Sequence, residues 1–178
     1  NLHHQNGMAI FSSRGNITVK HENNSIGQVR LNGGSHGYDV VFEVNIEKGR
    51  FFNNEELETG RNVAVIGHEI ANALFPNGEE PIGKIVKIKN LKYVIAGVIQ
   101  KEGQSFLGTP SNDYATIIPY QSFRRLFQTG TGKPFEITSR IGVKGKESDV
   151  GLIELEYEVR GILRVIRGLR PMEKDNFV

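Results

Sequence analysis

The residues best spaced for a known chemistry are Gly78-Glu79-Glu80-Pro81-Ile82-Gly83-Lys84, which match the first seven positions of a phosphate-binding P-loop. A P-loop leads from a strand into a helix, and a Ser or Thr after its lysine holds magnesium. Here the flanking residues predict a helix before the motif and a strand after it, and Ile85 stands in the hydroxyl position. Two glutamates inside the loop would also repel a phosphate. We therefore interpret the segment as a turn.

A second candidate chemistry is zinc binding. His68-Glu69-Ile70-Ala71-Asn72 has the start of the His-Glu-x-x-His motif, but Asn72 replaces the second histidine. A catalytic zinc ion needs three protein ligands, and the chain contains no cysteine. The segment is better interpreted as a helix start, and we expect no metal and no cofactor. The remaining histidines are predicted to lie on the surface: His3, His4, His21 and His36.

Hydrolytic chemistry has little support in the sequence. Ser12-Ser13, Ser35-His36 and Asp39 supply the residue types of a catalytic triad, but the Gly-x-Ser-x-Gly nucleophile elbow is absent. Adjacent carboxylates such as Glu55-Glu56 are more typical of solvated turns than of an acid and base pair across a cleft. We therefore predict no catalytic residues and a protein that is not an enzyme. A hydrolase with an unrecognised site remains an alternative.

Composition narrows the class of protein further. The 178 residues include 22 basic and 20 acidic side chains, for a net charge of +2, which gives no reason to expect a nucleic-acid partner. No window approaches the ~20 apolar residues of a membrane-spanning helix. The first residues have no signal-peptide pattern. We expect a soluble segment excised from a larger protein.

The elements that position these residues are short and alternate along the chain. Strands are predicted at 8–11, 17–19, 28–31, 63–66, 84–88, 92–100, 113–118 and 137–143. Short helices are predicted after Asn53 and at 68–75 and 120–127, and periodicity does not separate helix from strand at 38–44. Gly15-Asn16 is predicted to join the first two strands as a turn. The expected fold class is α+β, with mixed sheets in two lobes.

The last predicted helix is the longest, and Ser148-Asp149 is expected to cap it. Its apolar residues form one stripe: Leu152, Leu155, Val159, Ile162 and Ile166. Gly151 and Gly161 each cost the helix about 1 kcal/mol relative to alanine, so it needs a packing partner. Arginines near its end favour the helix dipole or would lie close to anionic lipid head groups.

The segment 100–112 is polar and contains two glycines and one proline, which predicts a mobile loop. Such loops on rigid scaffolds often carry recognition. We predict that Gln104, Phe106 and Leu107 bind a partner. Phe106 and Leu107 would otherwise serve as a partly buried anchor for the loop.

Several short motifs occur in one fixed order along the chain: Gly49-Arg50-Phe51-Phe52, Val63-Ala64-Val65-Ile66-Gly67, Leu74-Phe75, Pro81-Ile82-Gly83-Lys84, Val94-Ile95-Ala96-Gly97-Val98, Tyr114 and Pro119. A closing group follows at 160–168 and 175–177. Together they resemble the MacB-like periplasmic core domain of ABC-transporter permeases, which is also grouped with the FtsX-like permeases.

The resemblance implies a non-catalytic extracytoplasmic domain between two membrane helices, on the periplasmic side of the bacterial inner membrane. It implies coupling to an ATP-binding cassette subunit, assembly as a homodimer or heterodimer, and contact with a periplasmic adaptor or a lipoprotein. It also implies a strand-rich sabre-like lobe at 1–132, with the end of a porter-like lobe near 1–12. The second half of the porter-like lobe would occupy 133–178.

One departure from the family pattern concerns the porter-like lobe. The strand, helix and strand with which that lobe normally begins are missing here. We therefore expect the apolar stripe of the last helix to be exposed unless an absent segment or a second copy covers it. A stand-alone binding or structural module of the cell envelope is the alternative function.

Overall fold

The computed structural model describes residues 5–103, 111–127 and 137–176. In these residues eight strands form one mixed sheet: β1 (Gln5–His21), β2 (Asn24–Gly34), β3 (Ile46–Gly49), β4 (Val63–Ile66), β5 (Ile85–Ile88), β6 (Leu91–Ile99), β7 (Ala115–Pro119) and β8 (Arg140–Gly145). The helices are α1 (Tyr38–Val41), α2 (Asn54–Thr59), α3 (His68–Leu74), α4 (Tyr120–Leu126) and α5 (Ile153–Ile166), with a 3-10 turn at Asn112–Tyr114.

The first strand corrects the prediction of two strands joined by a turn. β1 is continuous, and Gly15-Asn16 forms a bulge in which Asn16 has a φ of 55°. Between Arg14 and Ile17 β1 advances three residues while β2 advances two, so one residue of β1 is unpaired. The reverse turn lies later, at Glu22-Asn23, between the paired residues His21 and Asn24.

The bulge decides which side chains face the core. Side chains alternate between the two faces of a strand, so one extra residue exchanges the faces. Before the bulge, Ala9 packs in an outer cluster; after it, Ile17 and Val19 pack in an interior cluster, although all three have odd numbers. A matching irregularity in β2, where Gln28 has a φ of 56°, keeps Ile26 and Val29 on the interior side.

The strand pairings close into a ring. The order runs β2-β7-β4-β6-β5-β1, and β1 pairs with β2 as well, so six strands surround the interior cluster. Each of these strands contributes a buried apolar residue to that cluster: Val19, Leu31, Ile66, Ile88, Tyr93 and Ile118 are among them. Leu74 of α3 and Phe123 of α4 pack into the same cluster. The helices thus complete a core that the strands alone leave open.

A second cluster lies on the outer face of the ring. There Val65, Ile99 and Ile117 are buried beneath Tyr38 of α1 and Leu57 of α2. β3 extends this side by pairing with β6, and β8 extends the sheet by pairing with residues 5–11 of β1. Strands β4, β6 and β7 are therefore covered on both faces.

Helix α2 is fixed by a predicted cap and an ion pair. The side chain of Asn53 accepts a hydrogen bond from the backbone N–H of Glu56, and the Glu56 carboxylate accepts one from the backbone N–H of Asn53. Arg50 donates two hydrogen bonds to the same carboxylate, at 2.8 and 2.9 Å. This partner lowers the pKa of Glu56, mainly through the hydrogen bonds. The motif Gly49-Arg50-Phe51-Phe52 therefore has a structural explanation.

Two buried hydroxyl groups of the interior differ in their hydrogen bonding. Thr116 pairs in register with Leu31 and Ile66, and its Oγ1 has no hydrogen-bond partner in the described part of the chain. The hydroxyl of Tyr93, by contrast, lies 2.9 Å from Oγ of Ser122. An unpaired buried hydroxyl costs stability, whereas a paired one contributes.

We expect Thr116→Val to leave the free energy of unfolding unchanged or raise it by about 1 kcal/mol, because a methyl group replaces a hydroxyl that makes no bond. Ser122→Ala is the matched control, and it should lower stability by roughly 1–3 kcal/mol because the Tyr93 hydroxyl is left unpaired. Urea denaturation measures both changes. A loss for Thr116→Val as large as that for Ser122→Ala would contradict the assignment.

Candidate partner-binding surface

The predicted partner-binding residues, Gln104, Phe106 and Leu107, lie outside the described residues. The two ends of their loop, at 101–103 and 111–114, are described. Asp113 joins these ends, because its carboxylate accepts hydrogen bonds from the backbone N–H groups of Glu102 (2.9 Å) and Gly103 (3.0 Å). Only 4% of Asp113 is exposed. A carboxylate with two backbone donors is a strong link at this position.

A second carboxylate completes the link in the opposite direction. Glu102 accepts hydrogen bonds from the backbone N–H of Asn112 (2.8 Å) and from its side-chain amide (2.9 Å). The backbone N–H of Asp113 donates to Oγ of Ser111 at 3.1 Å. We call residues 101–103 and 111–114 the loop base. Its two segments are held together by Asp113 from one segment and by Glu102 from the other.

The loop base is also attached to the sheet. Arg30 of β2 donates hydrogen bonds to the carbonyl of Ser111 (3.2 Å) and to Oδ1 of Asn112 (3.1 Å). A Cβ atom at Gly67 would lie 2.2 Å from the carbonyl oxygen of Asp113, so only glycine permits this approach. Lys101 pairs with Glu69 of α3 at 3.1 Å. The loop is therefore carried by elements that belong to the ring.

His21, His36 and His68 have ordinary structural roles, whereas His3 and His4 lie outside the described residues. Nδ1 of His68 lies 3.0 Å from Glu47, and His36 lies 4.0 Å from Glu58. His21 is buried, with Nδ1 2.8 Å from the carbonyl of Ile85 and its ring against Phe75, so its predicted surface position was wrong. It ends β1, where the ring-closing pairing with β5 covers it. No group of three metal-ligating side chains occurs within residues 5–103, 111–127 and 137–176.

Among the described residues, the hydrogen bonds of the serines considered as nucleophiles involve no histidine or carboxylate side chain. Ser12 is buried and bonds to Thr138 and Ser139, near β8. Ser13 donates to Oδ1 of Asn32 at 2.8 Å, and the hydroxyl of Ser35 accepts the backbone N–H of Ile10. Their hydrogen bonds hold strands together.

The apolar face of α5 is largely exposed, as the sequence predicted. Leu155 is buried and contacts the region of Gly145, whereas 72% of Ile166 is exposed. The cap differs in detail, because the helix begins after Leu152 while the Asp149 carboxylate accepts the N–H groups of Glu154 and Leu155. No helix among the described residues combines the length and apolarity needed to cross a bilayer.

The arginines near the end of α5 have protein partners. Arg160 donates to Asp175 at 3.0 Å and pairs with Glu156, and Arg164 also donates to Asp175. These bonds fasten the chain after α5 back onto the helix.

Asp113→Asn tests the loop base. We expect stability to fall by roughly 1–3 kcal/mol, because an amide oxygen accepts less strongly than a carboxylate and the amide N–H₂ faces a backbone donor. Hydrogen exchange at the amides of Glu102 and Gly103 should accelerate selectively. Glu69→Gln removes only the surface pair with Lys101, and it should change stability by less than about 1 kcal/mol. Equal effects of the two variants would argue against a special role for Asp113.

Known proteins with similar sequences place these features in a family. Residues 6–150 match the model of the MacB-like periplasmic core domain. The macrolide export ATP-binding/permease protein MacB of Rhodospirillum rubrum is 28% identical over 110 residues, which are 62% of this chain and 17% of that protein. The pyoverdine export ATP-binding/permease protein PvdT of Pseudomonas entomophila is 26% identical over 108 residues, 61% of this chain and 16% of that protein. The chain thus spans about a sixth of the length of these relatives.

Solved structures share the fold. The extracellular domain of the noncanonical ABC-type transporter YknZ from Gram-positive bacteria has a TM-score of 0.69 at 18% identity, covering 96% of this chain and 80% of that one. The periplasmic region of MacB from Actinobacillus actinomycetemcomitans also has a TM-score of 0.69, at 20% identity, covering 94% and 70%. The predicted α+β class is confirmed. With most of its length matched by the family model, the chain belongs to the MacB-like periplasmic core domain family.

Proposed function

We propose that this chain is the extracytoplasmic domain of an ABC-transporter permease on the periplasmic side of the bacterial inner membrane. It is not an enzyme itself; it transmits motion, driven by ATP hydrolysis in a cytoplasmic cassette, to work in the periplasm. Membership of the MacB-like family supports this role. The two relatives described above are named as macrolide and pyoverdine export proteins.

The observation that carries the proposal is the continuity of β1. Its first part pairs with β8, which leads to α5, and its last part pairs with β2 and β5 in the ring. A displacement of β8 therefore reaches the ring through one hydrogen-bonded strand. The backbone irregularity between these parts, at Gly15-Asn16, is itself paired on both sides with β2. Such a connection transmits displacement better than a flexible linker does.

The partner is proposed to be a periplasmic adaptor or a lipoprotein that contacts the loop at 104–110. The support is the loop base, which is tied to β2 by Arg30 and closed by Asp113. A recognition loop on a rigid base keeps its position relative to the ring as the domain moves. In the full transporter we propose a homodimer or heterodimer.

The coupling role is tested by interrupting the path between β8 and α5. In the full-length protein, a short Gly-Ser insertion between Lys146 and Glu147 should reduce transport at least tenfold while ATP hydrolysis continues. The same insertion between Glu79 and Glu80, both exposed, is the control and should have little effect. The isolated chain should hydrolyse no ATP. Retained transport with the first insertion, or ATP turnover by the chain alone, would disprove the coupling role.

The loop is tested by replacing both Phe106 and Leu107 with serine in the full-length protein. The partner to test is the adaptor or lipoprotein encoded by a gene next to that of the full-length protein. We expect its binding to weaken at least tenfold, as measured by surface plasmon resonance. Ile85→Ser with Val94→Ser removes an exposed apolar pair that lies side by side on β5 and β6, and it should preserve binding. Unchanged affinity in the loop variant would exclude the loop as the contact.

A further inference from the structure

An open cavity of about 680 Å³ lies on the outer face of the sheet, beside the loop base. Its floor is formed by three neighbouring strands, with Arg140 of β8 in register with Phe11 of β1, and Ser13 of β1 in register with Asn32 of β2. A cavity of this size is in the range that holds a small organic molecule. All of the residues named below as its lining are among those that the structure describes.

One wall of the cavity is aromatic. The ring of Phe42 lies 4.8 Å from that of Phe11 and 4.5 Å from that of Tyr38, measured between centroids. Phe11 and Phe42 are only partly buried, so both keep surface available for contact. Val41 adds an aliphatic side chain to the same wall. This wall can accept a ring by edge-to-face or stacked packing.

The floor is polar and fixed. Asn32 and Tyr38 are 4% and 3% exposed, and Oδ1 of Asn32 accepts the hydroxyl of Ser13 at 2.8 Å. Burial raises the pKa of Tyr38 to about 12, while the charge of Arg30 and a hydrogen bond with Asn32 oppose the rise. Its phenol therefore remains protonated at neutral pH. Buried polar groups held in this way are pre-organised to orient a ligand.

The charges at the cavity favour an anion. Its two carboxylates already have partners, since Glu43 pairs with Lys144 at 2.7 Å and Glu102 accepts two bonds from Asn112. Arg30 is committed to the loop base. Arg140 is exposed and has no hydrogen bond or ion pair to any described residue. Its guanidinium is thus available for a carboxylate.

We propose that this cavity binds a small organic anion in which a carboxylate lies next to an aromatic ring. The carboxylate pairs with Arg140, and the ring packs against the exposed surface of Phe11 and Phe42. A charge-assisted pair beside an apolar wall recognises both parts of such a molecule. The site shares Glu102 and Asn112 with the loop base, but it does not depend on whether the loop binds a partner.

The test ligand is N-acetyl-L-phenylalanine. It is titrated into a solution of the protein, and the backbone amide chemical shifts are followed by two-dimensional nitrogen-proton correlation NMR. We expect saturable shifts at the amides of Ser13, Asn32 and Phe42. The uncharged N-acetyl-L-phenylalaninamide, which keeps the ring but lacks the carboxylate, should bind at least tenfold more weakly. The absence of saturable shifts, equal binding of the amide, or shifts confined to other regions would overturn the proposal.

Variants assign the two contacts. Arg140→Gln should weaken binding of the carboxylate at least tenfold, and Phe42→Leu should weaken it severalfold. Arg124→Gln is the matched control, because Arg124 is an exposed arginine on α4 that does not line the cavity. Thermal melting checks that each variant is folded. If folded Arg140→Gln binds as well as Arg124→Gln, the anion does not use this cavity.

Discussion

Closure of the strand ring by β1 is the constraint on which the rest of the structure depends. This strand pairs with β2 along one edge and with β5 and β8 along the other. Because faces alternate along a strand, one residue of slippage would move Ile17 and Val19 out of the interior. The bulge at Gly15-Asn16 therefore does more than bend the strand. It lets one chain segment serve the outer cluster in its first part and the interior cluster in its last.

Elements with strong local signals could be predicted from the sequence. Asn53 followed by Glu56 specified the start of α2, and the apolar run at 63–66 specified β4. The strands predicted at 84–88 and 92–100 also followed from their apolar residues, and they correspond to β5 and β6. Gly15-Asn16 was misassigned because glycine and asparagine suit a turn and a bulge equally well. Only the neighbouring strands, which are distant in sequence, decide between the two.

The candidate surface divides in the same way. The loop predicted at 100–112 from composition lies mostly outside the described residues. The period of α5 predicted its apolar stripe, and the departure from the family pattern predicted that this stripe is exposed. The loop base was not predictable, because Arg30 is 82 residues from Asn112 and no local pattern connects them. The burial of His21 was missed for a similar reason, since β5, whose Ile85 it contacts, lies 64 residues away. Local sequence patterns indicate helices and strands, whereas the contacts of Arg30 with Asn112 and of His21 with Ile85 arise from the closure of the ring.

Asn112 of the loop base and its hydrogen-bond partner Arg30 both line the cavity. A ligand that altered the hydrogen bonds of Arg30 would therefore alter the support of the loop. Coupling of this kind is reciprocal: a partner that stabilised one arrangement of the loop base would change the affinity of the cavity by the same factor. Strands β4, β6 and β7 of the same sheet are covered on both faces and cannot absorb such a change by repacking. Any response is thus directed to the loop base, whose hydrogen bonds to Arg30 change with the ligand.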